Sequence, residues 1–217
     1  MKRWTIQHPL WSTVAILHFA AYLWLAFLAR LNGPFSMDHA VRDFFQRSQD
    51  ITLGWVIREW AVFGDWQILT VLLLLLSLLC SREMRKEFFL FFLLALGGGG
   101  LLGQLSKVIV GRARPGDPRL GFPSGHTLAA LVTVGGLVYF AYRSGRLRRP
   151  LGFASSAGTG MLIVLGVGIS RMYTDSHWMT DVFGGMLLGV VMATGVALGL
   201  QLQAGKTGQS PPTYIEP

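Results

Sequence analysis

Apolar residues gather into six runs along the chain, roughly 10–29, 62–80, 88–110, 125–142, 153–172 and 178–202, and charged positions fall mainly between them. A helix of about 20 apolar residues crosses a ~30 Å hydrocarbon core. The pattern predicts an all-α integral membrane protein, a bundle of six transmembrane helices. The first run follows Met1-Lys2-Arg3-Trp4, as a signal peptide would, but it is too long for such a segment and ends in "LARLNG" without a small-x-small cleavage pattern. It is expected to be a retained helix. Between the first two runs, Val41, Phe44 and Phe45 and then Leu53, Val56, Ile57 and Trp60 recur at helical spacing. Residues 32–61 are accordingly expected to form an amphipathic surface helical segment, serving either as a connector or as a lid and ramp for a lipid.

Composition supports the membrane class, with 52% hydrophobic and 14% charged residues. The net charge of +8 raises the question of nucleic acid, but the cations alternate with the runs as membrane orientation requires. With a cytoplasmic N-terminus, the inner side holds ten of the nineteen cations, among them Arg82, Arg85, Lys86, Arg143, Arg146, Arg148 and Arg149, against three acids. The outer side is nearly balanced, and no nucleic-acid partner is implied. Trp55, Trp60, Trp66, Tyr173 and Trp178 fall near the outer boundary, and Trp4, Trp11, Tyr139 and Tyr142 near the inner one. The expected location is a cell (inner) membrane, with both termini cytoplasmic. Residues 203–217, rich in Gly, Pro and polar residues, are expected to be a disordered tail behind a single domain over 1–202. Gly97 to Gly100 and the Gly185/Gly189 pair read as close helix packing. The lone cysteine, Cys80, reads as a small buried hydrophobe.

Ionisable residues beside membrane spans are costly, so a cluster of them on one side suggests function. Three groups fall on the outer side. In "KVIVGRARP", Lys107 and Arg114 are seven residues apart, which a helical path would place on one face, converging on one anion; the alternative is a snorkelling pair. In "FPSGHT", Ser124 is a good N-cap, Gly125 leaves the backbone open to a ligand and His126 sits in the first turn, where a helix N-terminus attracts phosphate. An ordinary capped helix is the plainer reading. In "SRMYTDSHWMTD", Ser170 and Arg171 close the fifth run, and His177 opens the sixth with Asp181 one turn on. A carboxylate on one imidazole nitrogen fixes the tautomer and leaves the other nitrogen as nucleophile or base. Alternating spans bring these loops to one face, where cations, helix N-termini and two histidines surround a volume suited to a phosphate ester.

Together these residues resemble the type 2 phosphatidic acid phosphatase family, whose motifs K-x6-R-P, P-S-G-H and S-R-x5-H-x3-D are complete here. Bacterial members often carry Pro where this chain has Met179. The resemblance implies that His177 forms a phosphohistidine, oriented by Asp181, and that His126 protonates the leaving oxygen and then activates water. It also implies that Lys107, Arg114, Ser124, Gly125 and Arg171 bind the phosphate oxygens. The side-chain cations make a metal unnecessary, and no cofactor is expected. Arg112 and Arg119 lie outside the motif; Arg112 is read either as a contact to a second phosphate or headgroup, or as a solvated interfacial Arg. His8, His18 and His39 read as structural or solvated. Glu59 and Asp65 read as interfacial.

The expected function is an integral membrane lipid phosphatase whose site opens to the outside. Candidate substrates are undecaprenyl diphosphate, phosphatidylglycerophosphate and phosphatidate. A lipid A-type phosphatase or a lipid-to-lipid phosphotransferase would use the same intermediate. A non-enzymatic lipid-binding or transport protein would keep the motifs as a binding site alone.

Overall fold

The computed structural model describes residues 8–48, 51–147 and 149–206. The N-terminal "MKRW", Arg148 and most of the expected tail, 207–217, lie outside them. Among the described residues regular structure is helical throughout, apart from one antiparallel bridge between Ala113 and Leu120. The helices are α1 (His8–Asn32), α2 (Ser36–Arg47), α3 (Ile51–Glu59), α4 (Trp66–Ser77), α5 (Arg82–Phe92), α6 (Gly98–Val110), α7 (Gly125–Arg143), α8 (Pro150–Tyr173) and α9 (Met179–Lys206). A 3-10 turn, Trp60–Gly64, joins α3 towards α4, and a π-helical turn, Leu93–Gly97, joins α5 to α6.

Five helical stretches are long and apolar enough to cross a membrane: Pro9–Asn32, Met84–Val110, Gly125–Arg143, Pro150–Tyr173 and Met179–Ala204. They make this a multi-pass membrane protein. Leu93, Leu101, Val108 and Leu162 are each 65% exposed or more, an outward apolar surface suited to lipid rather than water.

The second apolar run departs from expectation. A continuous helix over 62–80 is replaced by the 3-10 turn, a break at Asp65 and the twelve-residue α4. Asp65 takes an extended conformation and caps α4, its carboxylate accepting from the backbone N–H of Gln67 at 2.9 Å and Ile68 at 3.4 Å. Leu53–Gly64 and Trp66–Ser77 qualify as one span only as a pair bent by 58°. At the far end of α4 the Arg85 guanidinium donates to the carbonyls of Ser77, Leu78 and Cys80, satisfying groups that a helix end leaves free. Cys80 is half-buried against the core rather than fully enclosed.

Contacts fix the path of the chain. Gly33, just after α1, accepts a hydrogen bond from Arg112, just after α6, so α1 and α6 finish at one end of the bundle. Glu87, midway along α5, pairs with Arg143 at the end of α7, so α5 begins at the opposite end. Residues 33–82, which include α2, α3 and α4, lie between these two ends.

Close packing holds the central helices. Gly185 and Gly189 of α9 face α7 so tightly that a Cβ on Gly185 would stand 2.5 Å from the Ser124 carbonyl oxygen, and one on Gly189 3.1 Å from Leu131. Within the glycine run, Gly98 and Gly99 pack against Met192, and Gly99 also against Leu128, whereas Gly97 and Gly100 face open space. An aromatic cluster of Phe88, Phe91, Phe92, Tyr139 and Phe140 fills the core between α5 and α7. Nearer the other end, the Tyr22 hydroxyl donates to Ser106 Oγ at 2.6 Å and its ring stacks on Phe122 at 5.8 Å. The last helix continues to Lys206, past the expected boundary at 202.

Candidate active site

The first candidate segment bends where its glycine allows. Gly111, at φ +70°, closes α6 with its N–H on the Lys107 carbonyl at 2.9 Å, a left-handed cap that suits glycine. Lys107 therefore stays on the last turn of α6, whereas Arg114 lies beyond it; the expected helical path between the two ends at Val110. The loop then folds on itself. Arg114 N–H bonds the Arg119 carbonyl at 3.0 Å, Gly121 N–H bonds the Arg112 carbonyl at 2.8 Å, and Arg114 Nε donates to the Leu120 carbonyl at 3.3 Å.

A cis Phe122–Pro123 bond leads into α7. Ser124 is the N-cap, as its position implies, its buried Oγ accepting from Thr127 N–H at 3.5 Å and Thr127 Oγ1 at 3.0 Å. The Ser124 N–H donates to the Asp181 carbonyl at 2.8 Å, which ties the start of α7 to the start of α9. Gly125 is exposed, and a Cβ there would meet no atom within 4 Å. Half-buried His126 follows on the first turn, its backbone pressed against Gly64.

The second loop runs from Thr174 to Trp178. Asp175 adopts φ 56°, a conformation that Asp tolerates better than most residues. Its carbonyl accepts from Gly116 N–H at 3.1 Å, and Trp178 Nε1 donates to the Ala113 carbonyl at 2.9 Å, so the two loops are bonded to each other. The Arg171 carbonyl accepts from the N–H groups of Ser176 and His177. These bonds hold His177 just ahead of α9, which begins two residues later, at Met179, rather than at His177 as expected. Ser170 is fully buried, its hydroxyl donating to the Arg58 carbonyl at 3.2 Å.

His177 Nδ1 stands 3.2 Å from Asp181 Oδ2, with both side chains buried. Ionised Asp181 only accepts, so the ring's proton sits on Nδ1 and Nε2 keeps its lone pair. Asp181 Oδ2 also accepts from Trp178 N–H at 3.1 Å, the reach-back to an N-cap that an acidic residue at the third helical position makes. Burial pushes the His177 imidazole below its ordinary pKa, with the Asp181 contact acting in the opposite direction. Neutral imidazole, the form with a free lone pair, is thereby favoured.

Lys107, Arg114, His126, Arg171, His177 and Asp181 all come within electrostatic reach of neighbours in this set, and the two histidines interact with each other. The fold therefore brings the three sequence groups to one end of the bundle. Arg171 Nε is buried and, among the described residues, has no acceptor; an oxyanion would satisfy it. Asp65, beyond capping α4, adds a negative charge near His126.

Arg112 contradicts both of its sequence readings. It is buried, neither solvated nor turned to a headgroup, and it forms ion pairs with Asp38 of α2 and Asp181 of α9. It also donates to Thr180 Oγ1 at 2.8 Å and lies over the Phe122 ring. Asp38 and Thr180 were not singled out from the sequence. The available signal was the face Asp38, Val41, Arg42, Phe45 of α2, where two charges alternate with apolar residues at helical spacing. His39 packs edge-on against Trp178 at 5.1 Å, and His18 bonds the Val14 carbonyl on its own helix; both are structural contacts.

A family model described as the PAP2 superfamily matches residues 88–203. Phosphatidylglycerophosphatase B of Bacillus subtilis (strain 168) is 33% identical over 103 residues, covering 42% of this chain and 48% of that protein. That match thus spans about half of the relative's length. The crystal structure of a transmembrane PAP2 type phosphatidylglycerolphosphate phosphatase from Bacillus subtilis superposes with a TM-score of 0.75 and 25% identity, covering 87% of this chain and 96% of that one. Aquifex aeolicus LpxE superposes with a TM-score of 0.60 and 20% identity, over 75% of this chain and 96% of the other, a likeness of fold.

Proposed function

The chain belongs to the PAP2 superfamily, and on that premise we propose that it is a membrane lipid phosphatase that removes a terminal phosphate from a lipid phosphate or diphosphate. The observation that carries this reading is the buried His177–Asp181 contact at 3.2 Å, within electrostatic reach of Arg114 and Arg171. In the first step, His177 Nε2 attacks phosphorus while the bond from phosphorus to the leaving oxygen breaks, and His126 gives that oxygen a proton. In the second, water attacks phosphorus as His126 takes its proton. The P–N bond breaks and its electron pair returns to Nε2.

Asp181 stabilises the positive charge that the ring acquires in the intermediate. Lys107, Arg114 and Arg171 bind the phosphoryl oxygens, with the free backbone N–H groups after Ser124 and at Gly125 facing the same charge. Because those cations do the work of charge stabilisation, activity is expected to persist in EDTA. Loss in EDTA with recovery on Mg²⁺ would contradict this mechanism.

The chain crosses the bilayer six times, the bent α3–α4 pair making the second crossing and α2 lying as an amphipathic element at the surface. The basic loops around Arg82, Arg85, Lys86, Arg146 and Arg149 mark the cytoplasmic side. The site then faces outward, at headgroup depth. Phosphatidylglycerophosphate is the first substrate to test, because a relative and a structural neighbour are named for it. Purified protein should release phosphate from one of phosphatidylglycerophosphate, phosphatidate and undecaprenyl diphosphate faster than from a water-soluble ester, and H177A should abolish release without unfolding. Preference for the soluble ester, or normal release by H177A, would overturn the reading.

A further inference from the structure

The carboxylate behind His177 is itself held from behind. Arg112 reaches Asp181 Oδ1, the oxygen opposite the one that meets the imidazole, through Nη2. The same Nη2 donates to Thr180 Oγ1 at 2.8 Å, and Nη1 reaches Asp38 Oδ2 at 3.4 Å. Asp38 in turn accepts from Thr180 N–H at 2.9 Å, from Thr180 Oγ1 at 2.7 Å and from Phe35 N–H at 3.0 Å. The N–H of Thr180 lies in the first turn of α9, where Trp178 at the N-cap offers no side-chain oxygen, and Asp38 supplies one from α2. One turn further along α2, Arg42 forms a two-point ion pair with Asp175, both contacts at 2.7 Å. Helix α2 thus grips the His177 loop on both sides.

We propose that Arg112, anchored by Asp38 of α2, is a positioning residue for the His177–Asp181 pair: its guanidinium fixes the rotamer of Asp181, and its charge restrains proton uptake by the pair. The proposal rests on the phosphatase reading for its catalytic meaning and on the ion-pair geometry alone for its electrostatic content. Three side chains and Gly33 O take the donors on the two terminal nitrogens, Nη1 and Nη2, of one planar fork, while Nε has no partner among the described residues, an arrangement that a lysine ammonium does not reproduce. Surface helix α2 thereby becomes part of the machinery that aims the nucleophile, although it contributes no group to the phosphate itself.

The charges facing His177 decide the sign of the test. They are Asp181 on α9, Arg112 and Arg114 on the loop after α6, Lys107 on α6, His126 on α7, Arg171 on α8, Asp175 on the His177 loop, and Asp38, His39 and Arg42 on α2. Removing the Arg112 cation leaves Asp181 less compensated, so the His177–Asp181 pair takes up its proton at higher pH, whichever group holds it. Removing the Asp38 charge leaves Arg112 less compensated and moves the same event to lower pH. A strut that only supported the fold would not produce opposite shifts.

The experiment titrates the His177 imidazole by NMR in the detergent-solubilised full chain, with H177Q to assign the signal. In parallel it records pH profiles of phosphate release from phosphatidylglycerophosphate. R112M is expected to raise the titration midpoint by about one unit, and to lower kcat roughly tenfold to a hundredfold with KM little changed. R112K should keep the midpoint near wild type while still lowering kcat, and D38N should shift the midpoint downward. Unchanged midpoints in folded R112M and D38N, or shifts of the same sign, would overturn the proposal. If R112M does not fold, the direction of the D38N shift decides. A wild type inactive on every lipid phosphate would remove the phosphatase reading, and the NMR midpoints would still support or overturn the electrostatic link.

Discussion

Arg112 and Arg119 sit seven residues apart in one loop, each with a carboxylate partner, and their surroundings make them opposites. The Arg112 side chain is 3% exposed and both of its carboxylates are fully buried, whereas the Arg119 side chain is 74% exposed beside Asp117. Water and salt screen the outer pair, so its well-formed geometry is worth little. In the inner group, loss of one partner strands a charge away from water, where the penalty reaches about 3–5 kcal/mol. The same residue types in one short loop thus serve two ends. One pair orders a turn at the surface; the other joins α2, the loop after α6 and the start of α9 behind a histidine.

The largest effect is expected at Asp181. D181N keeps the shape but removes the charge that fixes the His177 tautomer, so phosphate release should fall on the order of a thousandfold or more, and the thermal midpoint should drop as Arg112 loses a partner. Activity within a few-fold of wild type would break the claim that the inner group is functional. D38A comes next: it removes the anchor of Arg112 and the acceptor for the first turn of α9, and a destabilisation of about 3 kcal/mol is expected in denaturation. R42A tests the partly exposed grip on Asp175 and should cost under about 1 kcal/mol, because the two side chains are 36% and 22% exposed. At the end of the series stands D117N. The Arg119 contact holds the Asp117 carboxyl down to about 2, yet the pair's exposure predicts no resolvable change in melting or activity; a clear loss would erase the contrast.

The depressed His177 pKa adds a pH test with a definite sign. The folded imidazole binds its proton less readily than the unfolded one, so the associated stability is complete above the ordinary histidine pKa of about 6.5. It declines as pH falls below that value towards the folded one. H177Q should flatten this slope in melting curves, and an unchanged slope would mean that another group carries it.

Legibility from sequence follows the reach of each interaction. Helix α1, the continuous stretch from α5 through α6, and helices α7 to α9 are readable because their apolar runs have span length, and Ser124 because an N-cap acts over three residues. The bend at Asp65 was hidden by a hydrophobic average that passes over a single capping carboxylate. The sequence pattern puts His177 at the start of the sixth helix, but its N–H is held by the Arg171 carbonyl and α9 starts after it. The role of Arg112 is hidden from sequence because its partners, Asp38 and Asp181, are 74 and 69 residues away. No local spacing encodes that meeting. The motif histidines and cations could be located together since alternating spans dictate which loops share an end, a topological rule rather than a contact.

The most direct measurement is covalent trapping: radiolabelled lipid phosphate turned over by the purified protein, quenched in alkali, where a phosphorus–nitrogen bond survives, and mapped by peptide. The account predicts label on His177, absent in H177A and sharply reduced in D181N. Steady turnover with no label on the protein, or label that persists in H177A, would contradict it.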